Sequence, residues 1–143
     1  MTDPFTLQRF VDAQSRNYAA ALDELRRGRK ETHWMWFVFP QLAGLGHSPM
    51  TQRYAISGLA EARAYLAHPI LGPRLIDCTE TVNGISSRSA HDIFSSPDDM
   101  KFRSSMTLFS KASAPGSVFD QALDLYFAGE MDRRTLGLLG QPS

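Results

Sequence analysis

The chain has 143 residues, enough for one domain with a buried core, and its 43% of hydrophobic residues excludes an intrinsically disordered protein. Its 15 basic residues balance 15 acidic ones, so the net charge gives no support for binding to nucleic acid or to a membrane surface. No basic start is followed by an apolar stretch, and no apolar run is long enough to span a membrane. We therefore expect a cytoplasmic protein.

The first predicted helix begins at the cap residue Asp3 and at Pro4, and it ends at Gly28. Apolar residues recur at helical spacing between these limits, and Ser15 offers a second cap, so a break there stays open. Four basic residues cluster at the end of this helix: Arg26, Arg27, Arg29 and Lys30. The cluster either complements the negative end of the helix dipole or forms a rim that attracts anionic ligands.

The segment Glu31 to Gln41, ETHWMWFVFPQ, is predicted to be the hub of the core, because each aromatic ring removes roughly 150 to 250 Å² from water on burial. Thr32 predicts the cap of a short helix that stops near Pro40, although a run this short could instead be one buried strand. In the helical form, His33 and Gln41 lie along one face. Polar groups beside an apolar wall are typical of a small-molecule site.

Cap residues followed by apolar residues at helical spacing predict helices in the rest of the chain. The predicted starts are Ser48, Ser57, about Ile70, Ser89, Ser96, the position after Ser117, and Asp132. The one cysteine, Cys78, lies on an apolar helical stripe and is expected to fill the core. The fold prediction is an all-α, compact single domain of about eight mostly short helices over residues 4–139, with a frayed tail at 140–143.

The segment 97–109, PDDMKFRSSMTLF, places polar residues on the buried side of a predicted helix. At about 100° per residue, the inward face is defined by three apolar residues, Phe102, Met106 and Phe109. Asp98, Lys101 and Ser105 fall in or next to that face. A charged pair and a hydroxyl there cost free energy unless they are paired or lie in a solvated cleft, so the segment predicts a site.

Neither a metal nor a cofactor is predicted. The four histidines, His33, His47, His68 and His91, never form the close pairs that zinc sites use. No Walker, GxGxxG, GxSxG or CxxC pattern occurs, and the segment 44–46, GLG, is too weak on its own to indicate a dinucleotide loop.

The candidate site residues are His33, Trp34, Trp36, Gln41, Arg53, Tyr54, Asp98, Lys101 and Ser105. Such a set suits an anionic, hydroxyl-bearing ligand, because Arg53 and Lys101 could bind phosphate while a tryptophan stacks on a base. Asp98 and His33 could polarise water or a ribose hydroxyl, which makes them the catalytic candidates. The alternative is structural: Asp98 and Lys101 form an ordinary helical ion pair, and His33 is an N-terminal hydrogen-bonding group.

Three stretches of the chain resemble the bacterial family called domain of unknown function 1810: RKETHWMWFVFPQLAGLGHSPMTQRYAI, ARAYLAHPILGPRL and SPDDMKFRSSMTLF. The resemblance covers the chain from Pro4 to Leu139, and it implies a mainly helical single domain with no established activity. Some members of the family carry the label calpastatin-like. Residues 106–109 are also similar to part of the NADAR (YbiA-like) helical domains, with Leu108 where those domains have a lysine.

The NADAR likeness implies N-glycosidase chemistry on ADP-ribose-type or riboflavin-pathway nucleotides. The first functional hypothesis is therefore a pocket for an anionic nucleotide or ADP-ribose-type ligand, with N-glycosidase-like hydrolysis as its reaction. Asp98 would then stabilise the oxocarbenium-like centre, and His33 would act as general acid. The alternative is a non-catalytic module that binds a protein partner, or a second copy of itself, through exposed Trp34, Trp36 or Phe39.

Overall fold

The computed structural model describes residues 3–140 and has ten helices in that range. They are α1 (Gln8–Ser15), α2 (Tyr18–Arg26), α3 (Met35–Val38), α4 (Pro49–Arg53), α5 (Leu59–Ala67), α6 (Leu71–Asn83), α7 (Ala90–Phe94), α8 (Asp98–Lys111), α9 (Val118–Phe127) and α10 (Arg133–Leu139). The described residues form no strand, only an isolated parallel bridge between Leu42 and Ile56. The predicted all-α class is confirmed. The number of helices exceeds the predicted eight or so, in part because the first predicted helix is split into α1 and α2.

None of the helices between residues 3 and 140 has both the length and the apolar character needed to cross a bilayer. The domain bounds 4–139 stay a prediction. The fraying predicted for the tail concerns residues 141–143, which lie outside the described part of the chain, and Gly140, which ends α10 in the left-handed conformation.

The N-terminal helix begins later than predicted and is interrupted. The Asp3 carboxylate accepts hydrogen bonds from the N–H groups of Leu7 at 2.8 Å and Gln8 at 3.0 Å, so it closes a turn that precedes α1. The chain then leaves the helix at Arg16 and re-enters it at Tyr18. The sequence left open whether the helix breaks near Ser15. The break is present, so α1 and α2 are separate helices.

The aromatic hub contains a single helical turn, α3, with non-helical residues on both sides of it. Its rings pack against α7 and α8: the Phe39 ring meets that of Phe102 edge-on at 5.0 Å and that of Phe94 at 5.9 Å between centroids. The Thr32 hydroxyl does not cap this helix, because it donates to Glu24 instead. The strand alternative is wrong, and so is a continuous helical face carrying both His33 and Gln41.

Helix α8 lies at the centre of the fold, in contact with α5, α7, α9 and α10. Phe102 and every residue from Ser104 to Ser110 are buried. Thr107 and Ser110 are buried too, and α9 and the residue that caps α10 supply them with polar partners. The Thr107 hydroxyl accepts the N–H of Asp132 at 2.9 Å, and the Ser110 hydroxyl donates to the Asp120 carboxylate.

Arg9 joins three segments through its guanidinium. It donates to the carbonyl oxygens of Phe5 at 2.6 Å, Arg53 at 2.9 Å and Ala55 at 2.8 Å, and it forms a 2.9 Å ion pair with Glu61 on α5. The side chains of Arg9 and Glu61 are largely shielded from water. These bonds fix the loop between α4 and α5 against α1.

Candidate functional site

Asp98, the first residue of α8, lies between two lysines. Its Oδ2 is 2.9 Å from Nζ of Lys30, and its Oδ1 is 3.7 Å from Nζ of Lys101. The Lys30 side chain is only 9% exposed, whereas that of Lys101 is 27% exposed. The first pair is therefore short and shielded, and the second is longer and nearer to water.

Each lysine also lies over an indole ring. Nζ of Lys30 is 5.2 Å from the centroid of the Trp34 ring, and Nζ of Lys101 is 5.6 Å from that of Trp36. Cations at such distances are attracted to the negative face of the ring. Lys30 thus connects the aromatic hub to the start of α8, and Asp98, Lys101, Trp34 and Trp36 meet in one cluster.

A buried carboxylate, Glu24 of α2, holds the segment between Lys30 and Trp34. It accepts hydrogen bonds from the N–H groups of Glu31 at 2.6 Å and Thr32 at 2.9 Å, and from the Thr32 hydroxyl at 2.5 Å. The Trp34 indole donates a further bond. Burial acts to raise the pKa of Glu24, but these donors outweigh it and lower the pKa from 4.5 to about 2. Glu24 is therefore ionised at neutral pH.

Next to this cluster is a cleft of about 300 Å³ between the loop that follows the hub, the start of α8 and the start of α10. It is lined by Gln41, Leu45, Gly46, Thr51, Pro97, Met100, Lys101, Ser104, Asp132 and Arg134. Two cations, Lys101 and Arg134, come from different helices, and one carboxylate, that of Asp132, accompanies them. The cleft therefore carries one more positive than negative charge.

The polar groups of the cleft are only partly engaged with the protein. Asp132 caps α10, because its Oδ2 accepts from the N–H of Thr135 at 3.0 Å and from its hydroxyl at 2.6 Å. The Ser104 hydroxyl donates to the Met100 carbonyl oxygen at 3.1 Å, which leaves its lone pairs able to accept. The Thr51 hydroxyl accepts from that of Ser48 at 2.8 Å and can still donate.

Two of the nine candidate residues, Gln41 and Lys101, line the cleft. Asp98, Trp34 and Trp36 belong to the adjoining cluster around Lys101. Trp34 is buried, whereas Trp36 is half-buried.

The other four candidates lie outside the cleft. His33 is exposed, precedes the first residue of α3, and does not line the cleft. Arg53 lines a separate depression beside α1. Tyr54 packs its ring against that of Phe37 at 5.4 Å, and Ser105 is fully buried with no hydrogen-bond partner among the described residues.

Sequence patterns missed several residues of the cleft and the cluster: Lys30, Glu24, Thr51, Ser104, Asp132 and Arg134. Lys30 stood in the basic group for which an anion-attracting rim was one interpretation, but within that group Arg27 pairs with Asp23 and Glu31 at the surface. Asp132 had been assigned only as a helix cap. Ser104 is one position from the predicted Ser105, and this step of about 100° brings it to the cleft.

The described residues contain no group of three histidine, cysteine, aspartate or glutamate side chains that could hold a metal ion. Burial raises the pKa of the Cys78 thiol to about 12, so this residue is a poor nucleophile and metal ligand at neutral pH. The residues that line the cleft can recognise a ligand through charge and hydrogen bonds.

Comparison with known proteins places the chain in a family. The family model described as "Protein of unknown function (DUF1810)" matches residues 4–139. The crystal structure of the conserved hypothetical protein Rv1873 from Mycobacterium tuberculosis is similar, with a TM-score of 0.95 and 54% sequence identity, over 98% of this chain and 100% of that chain. No curated protein matches the chain. The chain belongs to the DUF1810 family.

Proposed function

We propose that this protein binds a small anionic, hydroxyl-bearing molecule, of the nucleotide or ADP-ribose type, in the cleft beside Lys101. The observation that carries the proposal is the pair of cations, Lys101 from α8 and Arg134 from α10, that line the same cleft. Two cations brought together from separate helices suit a phosphate group, which both can contact with charge-assisted hydrogen bonds.

The uncharged and acidic groups of the cleft support a ligand that also carries hydroxyls. The Asp132 carboxylate and the Ser104 hydroxyl can accept hydrogen bonds, and the Thr51 hydroxyl can donate one. The Gln41 amide offers both a donor and an acceptor. A volume of about 300 Å³ is at the lower end for small-molecule sites, so it suits a sugar phosphate, with any base extending toward the half-buried Trp36.

N-glycosidase-like hydrolysis is the finer form of this proposal, with Asp98 as its candidate carboxylate. The reaction needs a carboxylate directed at the oxocarbenium-like centre. Both oxygens of Asp98 are engaged by lysines, so hydrolysis requires Lys101 to leave Asp98 for the ligand phosphate. His33, as an exposed residue, could act as general acid only for a ligand that extends beyond the cleft.

A non-catalytic interaction module is the alternative, and it was expected to expose the aromatic hub. Trp34 and Phe39 are each only 1% exposed, so the hub presents no large apolar patch. Self-association stays a prediction, and sedimentation at two protein concentrations tests it. A concentration-dependent sedimentation coefficient that Trp36→Ala abolishes would favour this alternative.

Thermal unfolding with a panel of ligands tests the binding proposal. The probes are inorganic phosphate, inorganic pyrophosphate, ADP-ribose and NAD. A ligand at a hundred times its Kd stabilises the folded state by about 2.7 kcal/mol, which is easily measured. Lys101→Met and Arg134→Met are expected to weaken binding by roughly tenfold or more, because each removes a charge-assisted contact.

Matched controls are available on the same helices. Arg133 is adjacent to Arg134, and Lys111 is at the far end of α8 from Lys101, yet neither lines the cleft. Arg133→Met and Lys111→Met are therefore expected to leave the affinity within about twofold of the original protein. The absence of stabilisation by all four probes, or equal losses in the control variants, would contradict the proposal.

A further inference from the structure

The two lysines of the cluster stand in different relations to Asp98. Lys30 is close to Oδ2, shielded from water and outside the cleft, whereas Lys101 is farther from Oδ1, more exposed and part of the cleft wall. One carboxylate thus has two cations, and only one of them can reach a ligand in the cleft. The charge of Asp98 can be balanced by Lys30 alone.

We infer that Lys30 is a positioning residue that neutralises Asp98 and thereby leaves Lys101 available to bind the anionic group of the ligand. This inference rests on the proposed function, because it concerns how the same cleft acquires its affinity. Without the Lys30 charge, Asp98 would hold Lys101 as its only counter-ion. An incoming anion would then have to compete with that carboxylate.

The backbone around Lys30 is built to keep it in place. Its N–H donates to the carbonyl oxygen of Ile93 at 2.7 Å, which attaches it to α7. The two residues that follow, Glu31 and Thr32, are held by Glu24 through their N–H groups. Its Nζ also lies over the Trp34 ring. The main-chain bonds fix the position of the Lys30 backbone, and the contact with Trp34 limits the freedom of its side chain. The ion pair with Asp98 therefore costs less conformational entropy than one made by a freely moving lysine.

Lys101 is held by fewer contacts. Its Nζ is 3.7 Å from Asp98, beyond the usual length of a direct hydrogen bond, and its other contact is the face of Trp36. A partly exposed ion pair of this length is weak, because water screens the attraction between its charges. A phosphate in the cleft can therefore draw Lys101 away from Asp98 at low cost, provided that Lys30 remains.

A double-mutant cycle separates this role from a general field effect. If Lys30 merely adds positive potential, Lys30→Met weakens binding equally whether or not Asp98 is ionised. If Lys30 acts by occupying Asp98, its removal matters only while that carboxylate is present. The cycle therefore compares Lys30→Met in the original chain and in the Asp98→Asn background.

The experiment measures the Kd for ADP-ribose and for inorganic pyrophosphate by titration calorimetry. Lys30→Met is expected to weaken binding by roughly fivefold or more, but by less than about twofold in the Asp98→Asn background. Lys30→Arg keeps the charge and is expected to retain most of the affinity. Asp98→Asn alone is expected to tighten binding by roughly twofold or more, because Lys101 is then released.

The outcomes are distinct. Suppose that a probe binds and that its binding requires Lys101. If Lys30→Met then weakens binding equally in both backgrounds, or has no effect, the inference is overturned and the binding proposal remains intact. Failure of the original protein to bind any of the four probes, phosphate, pyrophosphate, ADP-ribose and NAD, overturns both the inference and the binding proposal. If Lys30→Met does not fold, the cycle is made with Lys30→Gln instead, and equal weakening by that substitution in the two backgrounds overturns the inference.

Discussion

The indole N–H of Trp34 donates a 3.0 Å hydrogen bond to Oε1 of Glu24 in the interior of the protein. Glu24 also receives the N–H groups of Glu31 and Thr32, so one carboxylate arranges the entry to the aromatic hub. Four donors around a buried anion fully compensate the cost of taking it out of water. Lys30, the ion-pair partner of Asp98, directly precedes the segment that Glu24 holds.

Glu24→Gln is expected to lower the free energy of unfolding by about 2 to 3 kcal/mol at pH 7, because the amide keeps only one acceptor oxygen for these donors. Denaturant unfolding monitored by circular dichroism measures it. The matched control is Glu80→Gln on α6, since Glu80 is exposed. Its effect should stay within about 0.5 kcal/mol. Equal losses in the two variants would contradict the role assigned to Glu24.

The contribution of Glu24 to the free energy of unfolding should also depend on pH, and it should fall as the pH is lowered. Its folded pKa of about 2 is below the ordinary value of 4.5, so the folded state favours the ionised form. The linked stability, about 3 kcal/mol, is present above pH 4.5 and is lost as the pH falls toward 2. The difference in unfolding free energy between the original protein and Glu24→Gln should therefore shrink between pH 5 and about pH 2.5. If the difference in unfolding free energy between the two proteins stays constant over this pH range, the lowered pKa of Glu24 is contradicted.

Helices α5 and α6 approach so closely at Gly72 that no side chain fits there. A Cβ at this position would lie 2.1 Å from the Leu66 carbonyl oxygen, and backbone atoms cannot move aside as the end of a side chain can. Gly72→Ala is expected to destabilise the protein by about 2 kcal/mol or more, as measured by thermal unfolding. Gly137 provides the control, because a Cβ there meets nothing within 4 Å and lies in the middle of α10. Gly137→Ala should stabilise by up to about 1 kcal/mol.

Gly46 lets its loop approach Thr51 at the wall of the cleft. A Cβ on Gly46 would lie 2.7 Å from Cγ2 of Thr51, whose hydroxyl is held by Ser48. Gly46→Ala is therefore expected to displace Thr51 and weaken ADP-ribose binding by roughly threefold or more, with little loss of stability. Gly58→Ala, where a Cβ meets no atom within 4 Å, should leave the Kd unchanged. An unaltered Kd in the Gly46 variant would show that this wall does not contact the ligand.

The Cys78 thiol should be inert in the folded protein. It is fully buried, and burial raises its pKa to about 12, so neither the access nor the thiolate needed for alkylation is available at pH 8. Labelling with a thiol reagent is expected to follow unfolding in increasing denaturant. Rapid and complete labelling of the thiol in the native protein would contradict the assignment of Cys78 to the core.

Local sequence patterns predicted which segments form helices better than they predicted the residues at which those helices begin and end. The Ser48, Ser89 and Asp132 caps are present, because each side-chain oxygen accepts an N–H of the first turn as such residues commonly do. Thr32 also fits that pattern, yet its hydroxyl bonds to Glu24, a partner from another helix. No local rule anticipates a competitor of this kind.

The cleft was predictable only in part for the same reason. The polar residues on the buried side of α8 indicated a site, and Asp98 and Lys101 do form a cluster with the tryptophans. Lys30 and Arg134 are both far in sequence from Asp98 and Lys101, and their approach to these two residues follows from how the helices pack. Tyr54 was a candidate by residue type, but its ring is buried against Phe37 in the core.

The hydrogen bonds of the Arg9 guanidinium affect how the folded protein unfolds locally. Its donors serve the N-terminal turn, the carbonyl oxygens of Arg53 and Ala55, and the carboxylate of Glu61 at once. Withdrawal of this one side chain leaves acceptors unsatisfied in all three segments together. Amide protons of the N-terminal turn and of residues 53–61 should therefore exchange with deuterium as one cooperative unit, even though they are distant along the chain.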